Sequence, residues 1–182
     1  MSTTKKSLDL AFAALLSKDS EQVLTALTRI EKEGDARAIR PMLYALANTQ
    51  EDLVQQRITG LLNEVKVKNA ANELLTALDE PELAGVRRTV LATFWNAGLD
   101  VRDHLDRFVT IALDGDTEEC FECLTVIENQ EIWPEKAARS AAAKVKKALP
   151  DEVNSYKASL LNDLLAVLEY RLGDDEGSVG PK

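Results

Sequence analysis

The chain holds one histidine, two cysteines, few aromatic residues and no long apolar run, and each scarcity excludes something. His104 alone would have to serve any Ser-His-Asp or Cys-His mechanism. It lies near Asp103 and Asp106 in the first turn of a helical stretch, the setting of a solvated surface histidine. Cys120 and Cys123 stand too close in sequence to clip distant parts of a fold together. No second cysteine pair or nearby histidine completes a tetrahedral metal set around them, so ordinary packing in a reduced, intracellular protein is the expectation. The eight glycines are scattered singly, mostly at turns, which leaves no phosphate-cradling loop. No apolar run approaches the roughly 18 residues that a membrane helix needs, so a soluble, cytoplasmic chain is expected. Nothing alternates with period two, so no sheet is expected. Paired carboxylates are plentiful, as at Glu118, Glu119 and Glu122, but at a spacing that reads as a solvated helix face. The expectation is no catalytic residue, no metal and no cofactor.

What is present is repetition. Tyr44-Ala45-Leu46 returns as Thr76-Ala77-Leu78, Ile111-Ala112-Leu113 and Lys147-Ala148-Leu149, at steps of 32, 35 and 36 residues. A second echo, Thr25-Ala26-Leu27, Thr59-Gly60-Leu61 and Thr89-Val90-Leu91, runs at steps of 34 and 30. Each period therefore holds two helices, the pattern of a helical solenoid in which each pair buries one face by stacking on its neighbours. A length of 182 residues fits about four such pairs with capping helices, and 45% hydrophobic with 29% charged residues is the composition of a globular chain.

Taken in order, residues 7–18 read as an N-terminal capping helix with Leu8, Phe12, Leu15 and Leu16 at helical spacing. Two lysines before an apolar patch resemble a secretion signal, but Asp9 interrupts it and no small-x-small cleavage site follows. Asp19 or Ser20 caps the next helix, with Val23, Leu24, Leu27 and Ile30 inward and Gly34 as its stop. Asp35 caps the second helix of that pair, and Pro41, one turn inside, is expected to bend its start. The second pair carries Val54, Ile58, Leu61, Leu62 and Val65, then Leu74, Leu75 and Leu78, with Asn69 as cap. Gly60, in mid-helix, suggests close approach of a neighbour.

Pro81 opens the third pair, which carries Val86, Val90, Leu91 and Phe94, then Val101, Leu105, Phe108 and Val109 after the cap Asp100. Asp116 and Glu119 form a reciprocal cap for the fourth pair, with Cys120, Leu124 and Ile127 inward. Its second helix starts at Pro134 with a small-residue face of Ala137, Ala141, Val145, Ala148 and Leu149. Residues 151–172 read as one last helix, and 173–182 as a flexible tail. The apolar excess of residues 160–172 suggests self-association.

The segment GDARAIRPMLYAL, Gly34 to Leu46, resembles the inner helix of a HEAT-like unit: a glycine-aspartate turn, then Ile39, Pro41, Leu43 and Leu46. LVQQRITGLL (53–62) and GVRRTVLATF (85–94) resemble the family's outer helices. The resemblance covers residues 19–149, within a single domain over 1–172. The fourth pair lacks the arginine, and Asn69 replaces the turn aspartate in the second. It implies an all-α, right-handed α-α superhelix, with the second helix of each pair on a concave face and the first on a convex one.

Charge then separates the two sides. The four first helices (20–34, 50–65, 80–98, 116–131) carry net charges of −1, −2, 0 and −6, and the second helices with their turns (35–48, 66–79, 100–115, 132–149) carry +1, 0, −2 and +4. An acidic segment of a protein partner would be steered to the second-helix side. The expected role is a non-catalytic interaction scaffold, with Arg37, Arg40, Tyr44, Lys136, Arg139 and Lys144 in contact with the partner. The alternative is a HEAT-like nucleic-acid handler or enzyme using the basic fourth pair. A net charge of −9 and few interleaved aromatics weigh against nucleic acid. Trp95 and Trp133 read as packing residues, with partial exposure of Trp133 the alternative.

Overall fold

Helix α1 (Ser2–Ala14) buries Leu8 and Ala11 and ends in a turn that sends Leu15 inward and Leu16 into solvent. The expected capping helix is thus shifted toward the N-terminus, and Leu16 lies outside its buried stripe. The computed structural model describes the backbone of residues 2–176 and the side chains of residues 6–172. Among these the chain is all-α, with no strand, and it divides into two compact units, Met1–Leu99 and Asp100–Lys182.

In the first unit, Asp19 accepts hydrogen bonds from the backbone N–H groups of Glu21 and Gln22 and caps α2 (Ser20–Glu33). Val23, Ala26, Leu27 and Ile30 are buried, and Gly34 ends the helix at φ 62°, a left-handed conformation that suits glycine. Asp35 caps a 3-10 turn (Ala36–Ala38), and α3 (Ile39–Asn48) starts only at Ile39. Pro41 therefore falls in the first turn of α3, where its missing N–H costs no helical hydrogen bond, and the expected bend is replaced by the 3-10 entry.

Helix α4 (Asp52–Asn63) buries Val54, Ile58 and Leu62. Gly60 sits on its outer side, where an added Cβ would meet nothing within 4 Å, so the expected close neighbour is absent. Asn69 precedes α5 (Ala70–Ala77) as predicted, but at φ 71° and without a side-chain capping bond. It serves by adopting the left-handed turn, which asparagine tolerates. Pro81 opens a 3-10 segment (Pro81–Val86) leading into α6 (Arg87–Asn96). Helices α2, α4 and α6 pack successively in one row and α3 against α5 in another, with α4 on α3 and α6 on α5. Leu27, Leu43, Ile58, Leu62, Leu74, Leu91 and Phe94 form the core between the rows. Burial stabilises by about 1.5–3 kcal/mol per large side chain, so Leu27→Ala would cost on the order of 2–5 kcal/mol.

The second unit contains α7 (Leu105–Asp114), α8 (Thr117–Glu128), α9 (Glu135–Ala148) and α10 (Ser155–Glu176). Here α7 packs on α8 and α9, and α10 packs on the same two. The reciprocal cap between Asp116 and Glu119 is present at the start of α8. The buried face of α9 is Ala138, Ala141, Ala142 and Val145, one position round from the expected stripe, with Ala137, Ala148 and Leu149 half-buried.

Helix α10 starts at Ser155 rather than 151 because Leu149–Asp151 forms a 3-10 turn and Asn154 then caps the backbone of Tyr156 and Lys157. It continues to Glu176, so residues 173–176 of the expected tail are helical, and the tail from 177 lies outside the described residues. Leu160, Leu161, Leu164 and Leu168 are buried and Leu165, Val167 and Leu172 half-buried. Four of the seven apolar side chains expected on this helix are thus buried within the unit.

Candidate functional site

The turn into α3 holds a clamp. The Asp35 carboxylate accepts the Arg37 backbone N–H at 2.9 Å and the Arg37 guanidinium through Nε at 3.1 Å and Nη2 at 2.7 Å. That guanidinium, with burial opposing it, holds the Asp35 carboxyl below the usual carboxylate range. The turn into α7 repeats the arrangement. Asp100 accepts the Arg102 backbone N–H at 3.1 Å, Nε at 2.9 Å and Nη2 at 2.6 Å, and its carboxyl is lowered to about 2. A left-handed glycine precedes each clamp, Gly34 at φ 62° and Gly98 at φ 61°. An Asp-x-Arg triplet after a helix-ending glycine therefore fixes the same 3-10 entry in each unit.

Arg40 and Tyr44, one turn apart on α3, converge on Glu80. Arg40 Nη2 lies 2.5 Å from one carboxylate oxygen, and the Tyr44 hydroxyl donates to the other. The bond to Glu80 raises the Tyr44 pKa above its ordinary value. Tyr44 is half-buried and Glu80 mostly so. Of the expected contact residues in the first unit, Arg40 and Tyr44 are thus brought together on one carboxylate and Arg37 is held by Asp35. Beside the clamp runs an apolar groove of about 340 Å³ lined by Ile30, Ile39, Met42, Leu61, Val65 and Val67.

Lys136, Arg139 and Lys144 all stand exposed on α9. Its sequence, EKAARSAAAKVKKA, is rich in alanine, the best helix former, with Glu135 in the first turn and Lys146 and Lys147 in the last, each complementing the helix dipole. Arg139 Nε bonds Glu135 at 2.7 Å, Lys144 pairs with Asp106 of α7, and Lys146 lies 2.5 Å from Glu169 of α10. Lys136 and Lys147 have no hydrogen-bond or charged partner among the described residues.

No family model matches the chain, nor does any curated protein or solved structure. The chemistry of its side chains is therefore the ground for a functional reading.

His104 is half-buried at the entry to α7. Cys120 and Cys123 are both buried on α8, and burial pushes the Cys120 thiol up to about 11, away from the thiolate that a nucleophile or metal ligand needs. Trp133 is buried, its indole N–H donating to the Ile127 carbonyl at 3.2 Å, so the alternative of a partly exposed ring is set aside. Trp95 is half-buried.

Sequence reading missed two residues that organise these surfaces. Glu80 joins α3 to the turn after α5, and Lys157, nearly buried, donates to the Leu113 and Gly115 carbonyls at 2.7 Å and so closes the C-terminal end of α7. The repeat spacing was the available signal for the first. Tyr44 and Glu80 are 36 residues apart, within the range of the recurring steps.

Proposed function

We propose that the chain is a HEAT-like helical-repeat adaptor, non-catalytic, whose second helices carry the concave surface that holds a segment of a protein partner. The observation that supports it best is the exposed cationic face of α9, where Lys136, Arg139, Lys144, Lys146 and Lys147 project from a helix of net charge +4 within a chain of net charge −9. Such a local field of opposite sign steers an acidic segment and aligns it along the helix. The clamps at Asp35–Arg37 and Asp100–Arg102 support the repeat reading, because the same chemistry sets the same turn between helices of a pair. Arg40 and Tyr44, tied to Glu80, present a fixed polar surface on α3 beside which a partner can lie.

Capture of a native partner by the tagged chain, followed by mass spectrometry and then affinity measurement with the identified protein, tests this reading. Charge reversal of Arg139 with Lys144 is expected to weaken binding at least tenfold at low salt. Unchanged affinity, with an unchanged thermal melt, would remove α9 from the reading. The nucleic-acid alternative draws on the same lysines, but Asp106, Glu135 and Glu169 sit among them and would repel a continuous phosphate backbone.

A further inference from the structure

Deepening that adaptor reading, on which it rests, we infer that α9 receives an acidic helix bearing two carboxylates eleven residues apart. Lys136, Ser140, Ala143 and Lys147 follow one another at spacings of four, three and four, so they share one ridge, opposite the buried Ala138, Ala141, Ala142 and Val145. Eleven residues make close to three turns, which brings Lys136 and Lys147 into line about 16 Å apart. Both ammonium groups lack an internal partner among the described residues, whereas the neighbouring cations Arg139, Lys144 and Lys146 are each held by a carboxylate of this chain.

The ridge is therefore unlike the rest of the basic face. Two charges with no partner among the described residues mark its ends, and between them Ser140 and Ala143 offer no side chain long enough to hold a partner away. Helices approach to about 8 Å when the contact residues are small. A second helix lying along this ridge would place carboxylates eleven residues apart within reach of both lysines. The tethered cations on either flank add attraction without being free to pair, and their carboxylates Asp106, Glu135 and Glu169 disfavour a polyanion whose charge is continuous.

The test uses the full chain and a labelled, end-capped, alanine-rich peptide of 16 residues with glutamates at its third and fourteenth positions. A control peptide of equal net charge carries the two glutamates side by side, and a 20-nucleotide single strand serves as the polyanion. Anisotropy at low salt is expected to show the spaced peptide binding at least fivefold more tightly than the control. K136E/K147E should lose that binding tenfold or more, and Ala143→Leu, which fills the floor of the ridge without altering charge, should weaken it severalfold while leaving the thermal melt unchanged. Equal binding of the two peptides, no effect of Ala143→Leu, or tighter binding of the nucleotide strand through the same lysines would each overturn the inference. If the spaced peptide shows no preference while capture of the native partner still depends on Arg139 and Lys144, the ridge is refuted and the adaptor reading stands. If that dependence is also missing, the ridge is refuted and α9 leaves the adaptor reading as well.

Discussion

Asp100 receives both the backbone N–H and the guanidinium of Arg102, two residues on, and Asp35 does the same for Arg37. The Asp100 carboxyl is lowered from its ordinary 3.8 to about 2, chiefly by the side-chain bonds of Arg102. A depressed carboxyl stabilises the fold above its unfolded value, and that contribution is lost as pH falls through the folded value. Between pH 4 and pH 2 the wild-type melting temperature should therefore fall more steeply than that of Asp100→Asn. Coincident pH profiles would show that the clamp contributes nothing to stability. Both side chains are more than half exposed, so added salt should narrow the difference between the two proteins.

Period and capping chemistry made the helices legible. The echoes ending at Leu46, Leu78, Leu113 and Leu149 fall within two residues of the C-terminal ends of α3, α5, α7 and α9, with Leu46 and Leu78 buried and Leu113 and Leu149 half-buried. Asp19, Gly34 and the Asp116–Glu119 box were readable because their bonds are local, within three or four residues. The 3-10 entries were not, since a turn of only three to six residues is too short for its tighter period to show in the apolar pattern. Side-chain partners were less legible still. Arg40 and Tyr44 look like free surface groups on α3 until Glu80 of the turn after α5 is placed against them, and charge counting sees a cation at Lys144 without seeing Asp106. Gly60 misled for the same reason, since a glycine that faces a neighbour and one that faces water are identical in sequence.

Gly60 yields a direct test. It lies inside α4 on the exposed side, with ordinary negative φ and open space around an added Cβ. Alanine there removes the conformational freedom of glycine in the unfolded chain and introduces no clash. Gly60→Ala should stabilise by about 0.5–1 kcal/mol in urea titration, whereas Gly34→Ala, at φ 62°, should destabilise by about 1 kcal/mol or more. A destabilised Gly60→Ala would mean that another surface covers this position.

The cysteines should be silent in the native protein. Both are buried, and burial holds the Cys120 thiol protonated up to about 11. Ellman's reagent at pH 8 is expected to find no reactive thiol until urea is added, and then two per chain. Cys120→Ser would bury a hydroxyl in an apolar site and cost on the order of 1–3 kcal/mol. Because the folded thiol titrates above the unfolded one, stability should decline as pH rises from about 9 toward 11. Rapid labelling of the folded chain at pH 8 would contradict the buried placement.

Glu80 offers the sharpest contrast among single changes. Its carboxylate meets Arg40 on one oxygen and the Tyr44 hydroxyl on the other, and the Arg40 Nε is buried with no hydrogen-bond partner of its own. Removing the carboxylate strands the half-buried Tyr44 hydroxyl and takes the counter-charge from Arg40, whereas Tyr44→Phe removes one bond from an anion that keeps its ion pair. Glu80→Ala should therefore destabilise on the order of 2 kcal/mol, by more than Tyr44→Phe. In a double-mutant cycle the Tyr44→Phe effect should shrink in the Glu80→Ala background, since the bond it removes is already gone. Additive losses would show that the two side chains stabilise the first unit independently, and α3 would then carry Tyr44 as a residue released for contact with a partner.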